Sequence, residues 1–190
     1  MNQASTTGHP DRDLRQRDLV PPERLAACHA VVIGVGAIGR QAALQLAAVG
    51  VPRLTLFDDD DVRPENLAVQ GYWAEDLGTS KVLSTLALCR RINPDVQAAA
   101  VVQRFKRSTA KDLPGDRLVV FACVDAITTR RRLWESLRNQ AAFFVDGRMS
   151  AEVIRGRTGS AAQTPAGARR TANARSVPSS CTPKASLSRK

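Results

Sequence analysis

Short apolar runs of strand length alternate along the chain with longer stretches whose apolar residues recur at helical spacing. Five β-strands are predicted by the runs HAVVIG, RLTLFD, VQAAAVVQRF, RLVVFACVD and AFFVDGR. Helices are predicted by RQAALQLAAVG, by TSKVLSTLALCRRIN with Thr79 or Ser80 at its cap, and by AITTRRRLWESLRNQ. Strands separated by helices imply right-handed crossovers and parallel pairing. We therefore predict an α/β fold: a Rossmann-like, doubly wound, mainly parallel sheet with helices on both faces.

The C-terminal segment lacks this alternation. Residues 156–190 are rich in Ala, Ser, Thr and Pro and show neither helical nor strand periodicity, so we expect a disordered basic tail. The remainder divides into a flexible N-terminal arm over residues 1–18 and one folded domain over residues 19–155. A chain of 190 residues is long enough for one sizeable core.

The formal net charge of +10 comes mostly from that tail. From Val153 onward there are eight Lys and Arg and no Asp or Glu, which leaves 20 basic and 18 acidic residues in 1–152 and a net charge of +2 there. A basic tail can bind nucleic acid through phosphates, but no aromatic residue is interleaved to stack on bases. A frame shift or truncation after AEVIR explains the same abrupt change, and we favour that interpretation. A nucleic-acid partner is not expected.

Neither a membrane segment nor a metal site is evident in the sequence. There is no run of about eighteen apolar residues and the start is too polar for a signal peptide, so we expect a cytoplasmic protein without a membrane partner. Cys28, Cys89, Cys123 and Cys181 lie far apart and form no C-x-x-C pair. Reduced thiols are therefore expected, rather than a disulfide framework or a structural zinc site.

The sequence GVGAIG directly follows the first predicted strand and opens a helix, as a phosphate-binding turn does. Gly34 permits the tight turn, Gly36 lets the backbone approach a phosphate, and Gly39 lets the helix pack on the strand. Free N–H groups at the helix start, which includes Ala37 and Ile38, favour an anion. A glycine turn that merely connects a strand to a helix is the alternative.

The acid-rich stretch FDDDDVRPENLAVQG bears on which nucleotide would bind. Asp58 closes the second strand about twenty residues after the glycines, where a carboxylate accepts hydrogen bonds from ribose hydroxyls. Up to this point NAD and ATP fit equally well. The stretch and the following DLGTSK add further acids, two amides and Lys81 in one compact segment. Polar side chains and a lysine beside a phosphate turn favour a triphosphate over a dinucleotide.

In this order the motifs resemble the ThiF/MoeB family, bacterial relatives of ubiquitin-activating enzymes. The family pattern has a glycine loop, then D-x-D-x-V, N-L-x-R-Q, G-x-x-K and a later strand ending in Asp; here these are GVGAIG, DDDDV, NLAVQ, GTSK and FACVDAITTR. The resemblance covers about residues 15–152. It implies ATP-dependent adenylylation of a carboxylate, typically the C-terminus of a ubiquitin-like or sulfur-carrier protein, with release of pyrophosphate. It also implies ATP and Mg²⁺ as cofactors. A homodimer is expected for a different reason, since a domain truncated after residue 152 would leave an exposed sheet edge.

The resemblance also assigns roles to individual residues. Asp125 matches the catalytic aspartate that holds Mg²⁺ through the phosphates, and Lys81 would act beside those phosphates. Arg130 matches a recurrent arginine with a structural role. The residues that would contact the nucleotide are Gly34, Gly36, Ala37, Ile38, Gly39, Asp58, Asp60, Asn66, Gln70, Lys81 and, from the N-terminal arm, Arg15.

Two departures from the family pattern keep other functions open. Val69 stands where N-L-x-R-Q has its arginine, so a cation expected at the phosphates is absent, and Arg63 or Arg148 would have to replace it. Beyond residue 152 no family feature is recognisable, so we expect a truncated domain. A catalytically inactive nucleotide-binding or interaction module therefore remains an alternative. An NAD-dependent oxidoreductase is another, because it would explain GVGAIG and Asp58, although it leaves NLAVQ and Lys81 without a role.

Overall fold

Six β-strands and five α-helices make up the part of the chain that the structure, a computed structural model, describes: residues 12–113, 117–150 and 153–159. In chain order they are α1 (Pro22–Leu25), β1 (His29–Ile33), α2 (Ala37–Val49), β2 (Arg53–Asp58), α3 (Pro64–Gln70), α4 (Lys81–Ile92), β3 (Gln97–Val102), β4 (Leu118–Ala122), α5 (Ile127–Leu137), β5 (Ala141–Ser150) and β6 (Val153–Gly159). Two 3₁₀ turns add Ala74–Asp76 and Thr109–Asp112. None of the described helices is long and apolar enough to cross a lipid bilayer.

The strands form one sheet in the order β3-β2-β1-β4-β5-β6. The first five strands of this order are parallel, and β6 pairs antiparallel with β5. The sheet grows in one direction from β1 to β3 and in the other from β4 onward, so the order reverses between β1 and β4. The predicted Rossmann-like, doubly wound fold is confirmed. In such folds the reversal leaves a crevice at the carboxyl ends of the two central strands.

Hydrophobic cores lie on both faces of the sheet. Ala30 and Val32 of β1 face the core covered by α2 and α4. Val31 and Ile33 face the opposite core, which α5 covers. All four side chains are almost completely buried. A strand buried on both faces must be apolar at every position, which is why HAVVI reads as a continuous apolar run rather than an alternating one.

Both ends of the domain depart from the predicted boundaries. Strand β6 continues to Gly159, four residues beyond the predicted end at 155, because its backbone pairs with β5 over its whole length. At the other end, Arg12 Nη2 donates to the carbonyl oxygens of Ala47 at 2.7 Å and Ala48 at 2.8 Å, close to the end of α2. The last part of the expected flexible arm is therefore anchored. The predicted tail from residue 160 onward lies outside the described residues.

Helix α3 was not predicted. The sequence analysis treated the segment after Asp58 as a polar stretch of site residues, whereas Pro64–Gln70 is helical. The signals of a short helix were present, since Pro64 stands at its start and Gly71 follows it in the left-handed conformation with φ +71°. This helix matters for the site because it decides where each side chain of NLAVQ points.

Candidate functional site

A cavity of about 1130 Å³ opens at the edge where the parallel strands end. Its walls are the turns that follow β1, β2 and β4, the segment 103–107 after β3, and one side of α5 from Thr129 to Ser136. This is the position at which open α/β sheets bind their ligands. Nine of the predicted site residues line it: Gly34, Gly36, Ala37, Ile38, Asp58, Asp60, Gln70, Lys81 and Asp125.

The three glycines of the turn meet three different steric requirements. Gly34 has φ +87°, and a Cβ there would lie 2.9 Å from the carbonyl oxygen of Cys123. Gly39 packs the helix so closely that a Cβ would lie 1.8 Å from the carbonyl oxygen of Gly34. Gly36 has free space, because a Cβ there would meet nothing nearer than the amide of Gln70 at 3.9 Å. The first and third glycines thus shape the turn, and the second leaves it accessible from the cavity.

The turn is held by hydrogen bonds to both peptide groups of Val35. Its N–H donates to Asp58 Oδ2 at 2.6 Å, and its carbonyl oxygen accepts from Tyr72 Oη at 2.6 Å. The other oxygen of Asp58 accepts from the Asp60 N–H at 3.0 Å. Burial raises the pKa of Tyr72 to about 12, so the phenol keeps the proton that it donates. Asp58 therefore shapes the turn, and its remaining lone pairs are available to a ligand.

Lys81 lies beside the turn with its charge already partnered. Its Nζ is 2.9 Å from Asp60 Oδ2, and the lysine side chain is 7% exposed while that of Asp60 is 53% exposed. Gln70 lies next to Gly36, and its Oε1 is buried without a hydrogen-bond partner among the described residues. A lysine ammonium that can bind an anion and an amide oxygen that can accept from a ligand donor thus lie near the glycine turn.

Asp125 reaches the same cavity from the neighbouring strand. It follows β4, is exposed, and its Oδ1 accepts a hydrogen bond from the Ala126 N–H at 2.7 Å just before α5 begins. Oxygen ligands of this kind suit Mg²⁺. A second group of carboxylates, Asp58, Asp59 and Asp60, has oxygens within 4.8 Å of one another. Two of these three are already paired with cations, so Asp125 is the better candidate for a metal bound with phosphates.

Three predicted site residues do not line the cavity: Gly39, which packs against Gly34 beneath the turn, and two that lie further away. Asn66 is buried, and its Oδ1 accepts a hydrogen bond from the Arg63 N–H at 3.0 Å, so it caps α3 instead of lining the cavity. Arg15 is exposed on the segment anchored to the end of α2. Since α2 begins at the cavity and runs away from it, Arg15 lies at the far end of that helix in this chain.

The site carries cations that the sequence analysis missed. Val69 is 69% exposed on α3 and does not line the cavity. Arg63 also lies outside the cavity lining, and the side chain of Arg148 is outside the described residues. The wall instead contains Arg104, Lys106, Arg107, Arg130 and Arg132. The run QRFKR directly after β3 was the available signal, because it follows a parallel strand at the ligand-binding edge.

Arg130 holds α5 to β5. Its Nη1 donates to Asp146 Oδ1 and to the carbonyl oxygen of Gly147. Both side chains of this ion pair are largely buried, with 9% of Arg130 and 13% of Asp146 exposed. The contact agrees with the structural role that the resemblance assigns to Arg130.

Comparisons with known proteins identify similarities in sequence and in fold. The model of the ThiF family matches residues 12–166. The sulfur carrier protein ThiS adenylyltransferase of Escherichia coli K12 is 36% identical over 112 residues, which are 58% of this chain and 45% of that protein. SAMP-activating enzyme E1 of Haloferax volcanii is 37% identical over 134 residues, 68% of this chain and 50% of that protein. Escherichia coli MccB, solved with ATP, shares the fold with a TM-score of 0.60 at 18% identity over 75% of this chain and 46% of that one. The chain spans half or less of the length of these proteins.

Proposed function

This chain belongs to the ThiF family, and from that premise we propose that it binds ATP with Mg²⁺ and adenylylates a carboxylate, releasing pyrophosphate. The observation that carries the proposal is the convergence of four separate elements on one cavity. The glycine turn, Asp58, Lys81 and Asp125 all line it. ATP and a carboxylate substrate need such an arrangement, with phosphate contacts on one side and acidic groups that can hold a metal ion on the other.

The reaction needs positioning and charge neutralisation more than proton transfer. A substrate carboxylate is already ionised at neutral pH, so no general base is required. One of its oxygens attacks the α-phosphorus of ATP, and the bond to the β-phosphate oxygen breaks with its electrons leaving on pyrophosphate. The N–H groups at the start of α2 and the Lys81 ammonium stabilise the charge on the phosphates. Bound Mg²⁺, held through the phosphates by Asp125, would neutralise further charge.

The substrate and the assembly are part of the same proposal. We propose that the carboxylate is the C-terminus of a ubiquitin-like or sulfur-carrier protein, since relatives are named for activating such proteins. Lys106, Arg107 and Arg132 of the cavity wall suit an approaching carboxylate. A cytoplasmic homodimer without a nucleic-acid partner completes the proposal, and sedimentation equilibrium would test the dimer.

The test combines ATP binding with pyrophosphate exchange. Calorimetry with Mg²⁺ present compares the full chain with Lys81→Ala and Asp125→Ala, and Lys111→Ala and Asp112→Ala serve as matched controls because both residues are exposed and outside the cavity. We expect Lys81→Ala to weaken ATP binding about tenfold or more and Asp125→Ala to abolish exchange supported by a sulfur-carrier protein. The two controls should match the wild type.

Each alternative function predicts a different outcome of this test. Binding of NADH without binding of ATP would replace the proposal with the oxidoreductase. ATP binding with no exchange for any carrier protein would instead identify a nucleotide-binding module.

A further inference from the structure

Tyr72 connects the glycine turn to helix α4. Its side chain is 3% exposed, and its Oη lies 2.6 Å from the Val35 carbonyl oxygen, 3.3 Å from Thr85 Oγ1 and 3.5 Å from the Lys81 carbonyl oxygen. A phenol has one proton, and the shortest contact is to a carbonyl that can only accept. Tyr72 therefore donates to Val35, and the hydroxyl of Thr85 donates to Tyr72. The result is a hydrogen-bond chain from α4 through Tyr72 to the turn.

The geometry of the peptide bond gives this contact a consequence in the cavity. The Val35 carbonyl and the Gly36 N–H belong to the same planar trans peptide, so they point in opposite directions. Fixing the carbonyl therefore fixes the N–H. Gly36 lines the cavity, whereas Tyr72 does not. The Gly36 N–H makes no hydrogen bond within the described part of the chain and remains available to a ligand.

Two further contacts restrict the same peptide groups. Asp58 accepts from the Val35 N–H, so the peptide preceding Val35 is held as well as the one following it. The guanidinium of Arg40 lies over the ring of Tyr72, 4.7 Å from the ring centroid, and Arg40 is 4% exposed. A buried cation on the ring face favours one orientation of that ring. The phenol therefore reaches the Val35 carbonyl from a fixed position.

We propose that Tyr72 is a positioning residue that orients the Gly36 N–H towards the phosphates of a bound nucleotide. The inference rests on the proposed function to the extent that the phosphates are those of ATP. Tyr72 itself touches no ligand. It acts through one peptide group, and so it should affect binding of the triphosphate more than binding of the nucleoside.

The full chain is tested with Tyr72→Phe and with Thr85→Val as its matched control. Both variants remove one buried hydroxyl from the same hydrogen-bond chain, but only Tyr72→Phe breaks the link to the turn. We expect Tyr72→Phe to bind ATP about tenfold more weakly by calorimetry, while adenosine binding stays within about twofold. Thr85→Val should bind both ligands within about twofold of the wild type. Equal losses in the two variants, or an equal loss for ATP and adenosine, would overturn the inference.

An amide measurement separates this inference from the proposed function. In nucleotide-free protein, the nitrogen and proton chemical shifts of the Gly36 amide should move in Tyr72→Phe and stay near the wild-type position in Thr85→Val. If the wild type fails to bind ATP, the proposed function is wrong, and the Gly36 shift still decides the role of Tyr72. A Gly36 amide that is indifferent to Tyr72→Phe would refute the positioning role even if ATP binds tightly.

Discussion

Replacing Gly39 by alanine tests the steric basis of the phosphate turn. The added Cβ would lie 1.8 Å from the Gly34 carbonyl oxygen and 3.0 Å from the Cβ of Cys123. Carbon and oxygen atoms in close contact are normally about 3.3 Å apart. The added Cβ would therefore be about 1.5 Å too close to the Gly34 carbonyl oxygen. Because this oxygen belongs to the backbone, no side-chain rotation can relieve the clash, and helix α2 and the turn must move apart.

The size of the effect follows from two opposing contributions. Overpacking of this kind costs about 3 kcal/mol, at the upper end of the usual range because backbone must move. Alanine in a helix recovers about 1 kcal/mol relative to glycine. The net loss in the free energy of unfolding is therefore about 2 kcal/mol, which for a domain of this size corresponds to a fall in Tm of about 4–8 °C.

Gly36→Ala is the matched control, because the same methyl group placed three residues earlier would meet only the Gln70 amide at 3.9 Å. Its φ of −82° lies outside the left-handed range that requires glycine. Urea unfolding should show Gly36→Ala within about 0.5 kcal/mol of the wild type, while calorimetry should show weaker ATP binding because the methyl stands in the path of a phosphate. Equal stability of Gly39→Ala and Gly36→Ala would refute this account of the turn.

Two further predictions concern buried groups near the site. Arg130→Met should lower the free energy of unfolding by about 3 kcal/mol, since it removes the cation from the buried pair with Asp146. Arg131→Met, which breaks an exposed pair on the same helix, should lower it by less than about 1 kcal/mol. Equal losses of the two variants in urea unfolding would contradict this difference between a buried and an exposed pair. Burial raises the pKa of the Cys123 thiol to about 11, so little thiolate exists at pH 8. The rate of its alkylation by iodoacetamide should therefore rise about tenfold per pH unit between pH 8 and 10. Mass spectrometry would measure this rate. Rapid alkylation of Cys123 at pH 8, at the rate of the half-buried Cys28, would be evidence against that protection.

The strands, their ends and the glycine turn could be predicted from the sequence, because the requirements on these residues depend on their near neighbours along the chain. A strand covered on both faces must be apolar throughout, so the run HAVVI located β1, and the ends of such strands located Asp58 and Asp125. The glycine spacing predicted the turn because its requirements are local. Lys81 was found because GTSK lies close after the acid-rich stretch and opens a predicted helix.

Other parts depended on contacts between distant residues. Asn66 and Gln70 belong to one motif, yet α3 directs the first to its own cap and the second to the cavity, and the orientation of a helix is set by packing. Tyr72 contacts a carbonyl 37 positions earlier in the chain. Arg15 was placed by analogy, and its segment packs against the far end of α2. Contacts between residues so far apart in the chain cannot be predicted from a local sequence pattern.

The division of the two cores along the chain has a consequence for how the protein is made. All buried members of the core beneath α2 and α4 lie between Ala30 and Ala98, whereas the opposite core needs residues from Leu118 to Phe144. A ribosome releases the first set before it has synthesised the second, and folding during translation proceeds from the N-terminus. The nascent chain can therefore bring together the buried residues of one core, while Val31 and Ile33 on the other face await β4. In that interval the half-built sheet presents an uncovered apolar face to chaperones.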